Sequence, residues 1–139
     1  MLVSVKEFRT RMHQLFKQQY ALGLAADQNT SPPTAYWQYF FSKPAPFVMG
    51  PEKGAIKNKT AVVFFNAVRG KKRGYFHFET TVITENAASM EKGELTRMYR
   101  DFLENIIRQQ PENYLWTHRR WRHNYSPEFE KNWIDNRPA

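Results

Sequence analysis

A β-hairpin near the middle of the chain is the feature that most restricts the fold. The segment AVVFFNAV, from Ala61 to Val68, is almost continuously apolar and predicts a strand covered on both faces. GKKRG then predicts a turn, and a second strand follows from Tyr75 to Ile83. Alternation in the second strand predicts a core-facing side made of Phe76, Phe78, Thr80 and Val82. A chain with this hairpin cannot be purely helical.

Helical patterns lie on both sides of the hairpin. A capping-box pattern and apolar residues at helical spacing predict a helix from Val5 to Gln19. A short helix is predicted from Pro51 to Lys57 and a long one from Glu91 to Gln110, where Pro111 interrupts it. The buried stripe of the long helix should contain Leu95, Met98, Phe102, Ile106 and Ile107. The predicted class is α/β, a mixed sheet flanked by helices.

Two further segments precede the hairpin. ALGLAA, from Ala21 to Ala26, is short and apolar and predicts a buried strand that feeds a loop. The aromatic segment from Tyr36 to Phe47 contains two prolines, which lack the N–H donor that a central strand needs, so we predict an ordered apolar loop. With no repeat or long linker, residues 1–139 should form a single domain with 124–139 as a tail.

The composition favours an anionic partner. Lys and Arg number 21 against 13 Asp and Glu, which gives a formal charge of +8 and suits nucleic acid, lipid head groups or phosphorylated sugars. The absence of cysteine excludes disulfides and thiolate metal ligands and suits a reducing compartment. No window reaches the roughly 20 apolar residues of a membrane span, so membrane contact by this chain should be peripheral.

The segment PENYLWTHRRWRHNY, from Pro111 to Tyr125, concentrates cations and aromatics. Part of this chemistry has a structural explanation, because cations stabilise a helix C-terminus and aromatics close a core. Arg119, Arg120 and Arg122 nevertheless exceed what capping needs. Since a guanidinium group binds phosphate through paired hydrogen bonds, we predict that this segment faces an anion.

Two other sets of residues admit both a functional and a structural interpretation. Asp27 and Gln28 directly follow an apolar run, the position where ligands of open α/β sheets gather, but they equally suit a turn into the following loop. Lys71, Lys72 and Arg73 lie at the predicted hairpin tip. They form either a solvated turn or a contact with an anionic surface.

The remaining histidines favour structural interpretations. His77 lies on the more polar face of its strand, where a surface role is expected, and a single histidine cannot form a zinc site. His123 and Glu128 have the spacing of an acid–base pair. Ser126 and Pro127 more simply begin a short terminal helix, which would place Glu128 at its favourable N-terminus.

Several of these segments together resemble a known family. The succession LGLAADQ, KPAPF, AVVFFNAVRGKKRGYFHFE and PENYLWTHRRWR resembles the C-terminal half of the bacterial lipid A biosynthesis acyltransferases, in the lysophospholipid acyltransferase superfamily. The resemblance covers Val5 to about Arg122, and PENYLWTHRRWR is its most specific element. It implies the C-terminal part of a glycerolipid-acyltransferase-like fold.

The resemblance implies transfer of a fatty acyl chain to a hydroxyl of a lipid A precursor or lysophospholipid. The donor would be an acyl-carrier-protein or coenzyme A thioester, with no other cofactor. Carried over by position, Asp27 and Gln28 would shape the pocket for the acyl chain or acceptor. His118, Arg119 and Arg120 would support the site or bind the anionic lipid.

The chain also departs from the family pattern. The catalytic histidine and acidic residue of the family, four apart, lie in an N-terminal half that also carries a membrane-anchoring helix, and neither precedes Ser4 here. HNYSPE has that spacing but lies beyond the HRR motif, so no catalytic role passes to His123 and Glu128. We therefore expect a truncated or split family member that is inactive alone.

The expected partners are an anionic glycolipid or phospholipid, acyl carrier protein and the inner-membrane surface. Localisation should be peripheral, at the cytoplasmic face. The competing class is a basic module that binds nucleic acid or anionic lipid without catalysis. We expect no nucleic acid partner, because the aromatics of AVVFFNAV should be buried and a stacking platform needs them exposed.

Overall fold

The computed structural model describes residues 7, 16, 17 and 19–136. The predicted helix from Val5 to Gln19 therefore lies almost entirely outside the described residues. The regular elements are β1 (Ala35–Phe40), β2 (Lys43–Val48), α1 (Gly50–Asn58), β3 (Val62–Arg69), β4 (Phe76–Thr84) and α2 (Glu94–Gln109). The strands form two antiparallel pairs, β1 with β2 and β3 with β4. The predicted α/β class is confirmed.

The segment from Tyr36 to Phe47 forms the β1–β2 hairpin, so the prediction of a loop was wrong. Trp37 pairs with Pro46 and Tyr39 with Pro44. The Tyr39 N–H donates to Asp135 at 2.7 Å, which shows that these paired positions turn their backbone polar groups away from the partner strand. The two prolines therefore occupy positions where no N–H is needed for the ladder.

The β1–β2 turn also lacks the usual sequence signal. Phe41 and Ser42 both have positive φ, 49° and 63°, as a two-residue type I′ turn requires, but neither is the glycine or asparagine that favours it. Helix α2 supports this turn. The Phe41 N–H donates to Glu104 Oε1 at 2.9 Å, and the Arg108 guanidinium lies 5.1 Å from the centre of the Phe41 ring.

The helices predicted from Pro51 to Lys57 and from Glu91 to Gln110 are confirmed with small changes at their ends, but the buried side of α2 was placed inaccurately. Leu95 and Ile107 are buried as predicted, whereas Met98 is 37% exposed. The buried side also includes polar residues, because α2 faces backbone polar groups of β1 and of the turn after it, as well as the carboxylate of Glu52. These buried polar residues are Thr96, Arg100 and Glu104.

The β3–β4 hairpin is confirmed, but its predicted core-facing side was wrong. Phe76, Phe78 and Val82 are 60%, 68% and 68% exposed, and Thr80 is exposed as well. The opposite side packs on α2, as the distance of 5.3 Å between the ring centroids of Phe64 and Phe102 shows. The expectation that the first strand is covered on both faces was therefore also wrong, as Val63 and Phe65 on β3 show.

The apolar run from Ala21 to Ala26 is not a strand, and Leu22 and Leu24 are 41% and 42% exposed. An apolar run becomes a strand only where a sheet edge offers hydrogen bonds. The outer edge of β1 is already bridged by Trp133, and the outer edge of β2 carries prolines.

Residues 124–136, which belong to the predicted tail, pack on β1. The Trp37 ring stacks on Phe129 at 5.3 Å and meets the edge of Tyr125 at 5.4 Å. A short 3-10 turn spans Pro127–Asn132, close to where a terminal helix was predicted. This segment completes the cover of β1. Over the described part of the chain, no helix is long and apolar enough to cross a bilayer.

Candidate anion-binding site

The segment Tyr114–Arg122, called here the cationic segment, lines an open cavity of about 340 Å³. Pro111 ends the preceding helix, and successive tight turns follow, such as His118 N–H to Leu115 O at 2.9 Å. Trp121 fixes the far end of the segment, because its indole N–H donates to Phe40 O at 3.3 Å. Three arginines and two tryptophans from the segment line the cavity.

Asn29 joins the segment after Ala26 to the cationic segment. Its backbone N–H donates to His118 Nε2 at 3.0 Å, and its side-chain amide donates to Arg119 O. Its Oδ1 accepts a hydrogen bond from Arg120 Nη1 at 3.1 Å. One residue thus contacts three consecutive residues of the HRR motif. Because His118 Nε2 is an acceptor here, its neutral form carries the proton on Nδ1.

Asn29 was not among the residues predicted to form the site. Its only signal was its place directly after Asp27 and Gln28, and an asparagine in a loop normally indicates local turn chemistry. Partners that lie 89 to 91 residues away along the chain cannot be inferred from such a local pattern.

Arg120 is the buried cation of the site, with 1% of its surface exposed. Its Nη1 donates to Pro46 O at 2.7 Å, and the guanidinium lies 4.1 Å from the centre of the Phe47 ring. Within the described residues, Nε and Nη2 of Arg120 have no hydrogen-bond partner. An unpaired buried donor is costly, so the guanidinium retains a strong capacity to bind an acceptor.

Burial also tunes the electrostatics around this arginine. Desolvation lowers the pKa of Arg120 to about 10, opposed by Tyr114, Asp27 and Tyr99, so the group remains a cation at neutral pH. Burial raises the pKa of Tyr114, and Asp27 adds to the rise while Arg120 opposes it. The Tyr114 hydroxyl is buried and lacks a partner among the described residues. The site therefore combines one buried cation with a spare neutral hydroxyl.

The five residues predicted to form the substrate site do not share one environment. His118 and Arg120 meet at Asn29, and half-buried Asp27 acts electrostatically on Arg120. Gln28 and Arg119 are exposed. Arg119 nevertheless lines the cavity, as does exposed Arg122, so the cavity wall contains two exposed guanidinium groups and one buried one.

The other candidates lie elsewhere. His77 is an exposed residue 3.5 Å from Glu79, in agreement with the predicted surface role. His123 is half-buried and Glu128 is exposed in the first turn of its 3-10 helix. Lys71, Lys72 and Arg73 are exposed between β3 and β4. Among the residues with a described position, no group of three or more His, Cys, Asp or Glu could hold a metal ion.

The fold and the site define an α/β protein with an arginine-lined cavity. A family model described as bacterial lipid A biosynthesis acyltransferase matches residues 2–123. Because the match covers most of the chain, the chain belongs to this family, and the resemblance carried by its motifs is confirmed. The family associates the chain with acyl transfer in general. No curated protein and no solved structure matches significantly.

Proposed function

We propose that this chain is the head-group-binding part of an acyltransferase that modifies a phosphorylated membrane lipid. The acyl donor is an acyl-carrier-protein or coenzyme A thioester, and the acceptor is a hydroxyl of a lipid A precursor or lysophospholipid. The reaction takes place at the cytoplasmic face of the inner membrane, where the chain is peripheral. Family membership supports acyl transfer, and the cavity chemistry supports a phosphorylated lipid.

The observation that carries this proposal is the state of Arg120. Its guanidinium is buried and charged at neutral pH, yet Nε and Nη2 find no acceptor among the described residues. Nε and one Nη of a guanidinium form the fork that matches two oxygens of a phosphate or carboxylate. Exposed Arg119 and Arg122 add positive charge to the same cavity. A phosphate group satisfies these two nitrogens only after the residues that cover them move, because both atoms are closed to solvent, whereas exposed Arg119 and Arg122 can bind it directly.

Asn29 and Asp27 have positioning roles in this proposal. Asn29 fixes the imidazole of His118 and one nitrogen of Arg120, which orients the rest of the guanidinium. Asp27 favours the charged form of Arg120, because its negative charge offsets part of the desolvation cost. Gln28 is exposed, so it can contact only a ligand that approaches from solvent.

Acyl transfer also requires a base, which we propose comes from outside residues 1–139. The acceptor hydroxyl loses its proton to this base, and its oxygen forms a bond to the thioester carbonyl carbon. The carbon–sulfur bond then breaks, and the leaving thiolate takes the proton back from the base and departs as the thiol. The described residues of this chain bind and orient the acceptor. They are not assigned the proton transfer.

The first test measures binding of the chain to a phosphorylated lipid A precursor in detergent micelles, with the dephosphorylated lipid for comparison. Binding should depend on phosphate. Arg119→Lys should weaken it about tenfold, as expected for the loss of one charge-assisted hydrogen bond, with little change in melting temperature. Arg108→Lys is the matched control, because this side chain is 63% exposed and lies outside both the cavity and the β3–β4 hairpin. Equal binding of both lipids would contradict the proposal.

The second test measures acyl transfer by the chain alone. With an acyl-carrier thioester and the same acceptor, we expect no turnover above the uncatalysed reaction, because the base is supplied elsewhere. Turnover that disappears in His123→Ala would reverse this expectation and give the His123 and Glu128 pair a catalytic role.

A second candidate function gains support from the exposed hairpin. A nucleic acid partner was not expected because the aromatics were predicted to be buried, but Phe65 is 53% exposed and Phe78 is 68% exposed. Exposed aromatics near cations are what a single-stranded nucleic acid platform requires. RNA binding at physiological salt, together with no binding to phosphorylated lipid, would favour this candidate.

A further inference from the structure

One side of the β3–β4 hairpin is an exposed apolar surface, called here the outer face. Its large apolar residues are 46% to 68% exposed: Val63, Phe65, Phe76, Phe78 and Val82. The strand register places them together, because Val63 lies opposite Val82 and Ala67 lies opposite Phe78. The other side of the hairpin packs on α2 through Phe64. The hairpin is therefore amphipathic, with its apolar outer face turned to solvent.

Cations are concentrated at one end of this outer face. Lys71, Lys72 and Arg73 are exposed at the tip, and Arg69 lies on the outer face opposite Phe76. The ammonium group of Lys72 is 4.8 Å from the centre of the Tyr75 ring, which is itself 59% exposed. Aromatic rings and cations thus share one end of an apolar surface.

Glu79, the acidic residue that follows this end along the chain, does not lie on the outer face. Glu79 pairs with Asn66 on the opposite side of the hairpin, and its carboxylate lies 3.5 Å from His77. Positive charge at the tip is therefore not offset on the surface that carries the phenylalanines. The positive charge of the tip and the apolar area of the outer face together fit a partner that has an apolar interior and an anionic surface.

We propose that the outer face and the tip form a docking surface for an anionic lipid bilayer. The phenylalanines enter the boundary between head groups and acyl chains, and the lysines and arginines of the tip bind lipid phosphates. This proposal deepens the proposed function, since it names the surface that brings the chain to its lipid substrate. Its evidence is independent of the cavity, because none of the hairpin residues lines it.

Two other occupants fit less well. A second copy of the chain would bring together two molecules that each carry a formal charge of +8. Single-stranded nucleic acid requires cations along the path of its backbone and rings for its bases. Here the cations gather at one end, and Val63 and Val82 offer no ring for stacking. A bilayer needs no such path.

The absence of cysteine permits a direct test with a single label. Phe78→Cys and His77→Cys place an environment-sensitive fluorophore on neighbouring residues that face opposite sides of the hairpin. On addition of phosphatidylglycerol–phosphatidylethanolamine vesicles, the label at position 78 should shift to shorter wavelength and be quenched by a lipid-borne quencher. The label at position 77 should respond weakly. Equal responses, or no binding to anionic vesicles, would overturn the proposal.

A charge comparison tests the role of the tip. Replacing Lys71, Lys72 and Arg73 with glutamine should weaken binding to these vesicles about 100-fold at low salt, because each cation near the surface contributes to attraction. The matched control replaces Lys53, Lys57 and Lys59, three exposed cations in or just after α1, and should weaken binding only about threefold. Equal losses would show that net charge, rather than the tip, drives binding and would overturn the assignment.

The remaining outcomes are also decisive. A blue shift at position 78 without vesicles, rising with protein concentration, would assign the outer face to a second copy. A shift with oligouridylate RNA but not with vesicles would assign it to nucleic acid. Both results would overturn the bilayer proposal. Phosphate-dependent lipid binding in micelles would still test the cavity, so failure of one proposal is distinguishable from failure of the other.

Discussion

The two β-hairpins are both rich in aromatic residues, but their aromatic side chains differ in burial. In β1–β2, Tyr36, Trp37, Phe40 and Phe47 are each at most 2% exposed. In β3–β4, only one side is covered, and Phe76 and Phe78 are at least 60% exposed. The first hairpin is enclosed by α2, the cationic segment and residues 124–136, whereas the ring contacts of the second on its covered side, among the described residues, are those of Phe64 with α2. Aromatic content therefore does not determine burial; the number of neighbouring elements does.

Buried polar contacts mark the same difference. The β1–β2 hairpin is held by Arg100 Nη1, which donates to Tyr39 O at 3.0 Å and to Asp135 Oδ2 at 2.7 Å. On the other edge, Arg120 Nη1 donates to Pro46 O at 2.7 Å. Buried arginines thus satisfy backbone groups that two strands alone would leave unpaired. Such contacts fix the position of β1–β2 relative to its surroundings.

The largest expected effect comes from a matched pair of phenylalanines, one in each hairpin. Phe47→Ala should lower the free energy of unfolding by about 3–5 kcal/mol, because it leaves a cavity beside Phe40 and Arg120. Phe78→Ala removes an exposed ring and should change it by less than about 0.5 kcal/mol. Chemical denaturation measures both. Similar losses would show that the outer face is covered in solution.

A second comparison concerns the two carboxylates that contact Arg100. Asp135→Ala leaves a buried cation without its buried partner and should cost about 3 kcal/mol or more. Asp101→Ala removes a partner at 2.7 Å whose side chain is 53% exposed, and it should cost no more than about 1 kcal/mol. Both variants are measured by chemical denaturation at neutral pH. If Asp101→Ala were the more damaging, burial would not be the controlling factor.

The smallest expected effect on the free energy of unfolding is that of removing the Tyr36 hydroxyl, and it appears at alkaline pH. Burial raises the pKa of Tyr36 to about 12, and the carboxylate of Glu52 adds to the rise. The folded protein thus holds this proton more tightly than the unfolded chain, so the stability from Tyr36 is complete below about pH 10 and is lost towards pH 12. The effect of burial on Arg120, whose pKa is lowered to about 10, has the opposite sign in this range.

Tyr36→Phe should therefore make the decline in unfolding free energy above pH 10 shallower than in the unmodified chain. Tyr75→Phe, at a ring that is 59% exposed, serves as the control and should leave the slope unchanged. The Arg120 contribution is common to all three proteins and cancels in the comparison. An unchanged slope in Tyr36→Phe would mean that its hydroxyl ionises as freely in the folded state as in the unfolded state.

Local patterns were sufficient where the structure depends on near neighbours. Periodicity and proline chemistry predicted the helices α1 and α2, the strands β3 and β4, and the end of α2 before Pro111. The β1–β2 hairpin was missed because prolines argue against a strand unless their nitrogens face outward, which depends on the register. Asn29 was missed because its three contacts with the HRR motif come from residues far along the chain.

The sequence by itself determined the class of fold, the helical and β segments around the second hairpin and the motifs that match the acyltransferase family. Tertiary structure alone decided which apolar residues are covered and which of the adjacent Arg119 and Arg120 is buried. The physical reason is that periodicity specifies which side chains share a face but not whether another element packs on that face. Burial, and with it the desolvation that shifts the pKa of Arg120, belongs to the contacts between distant segments.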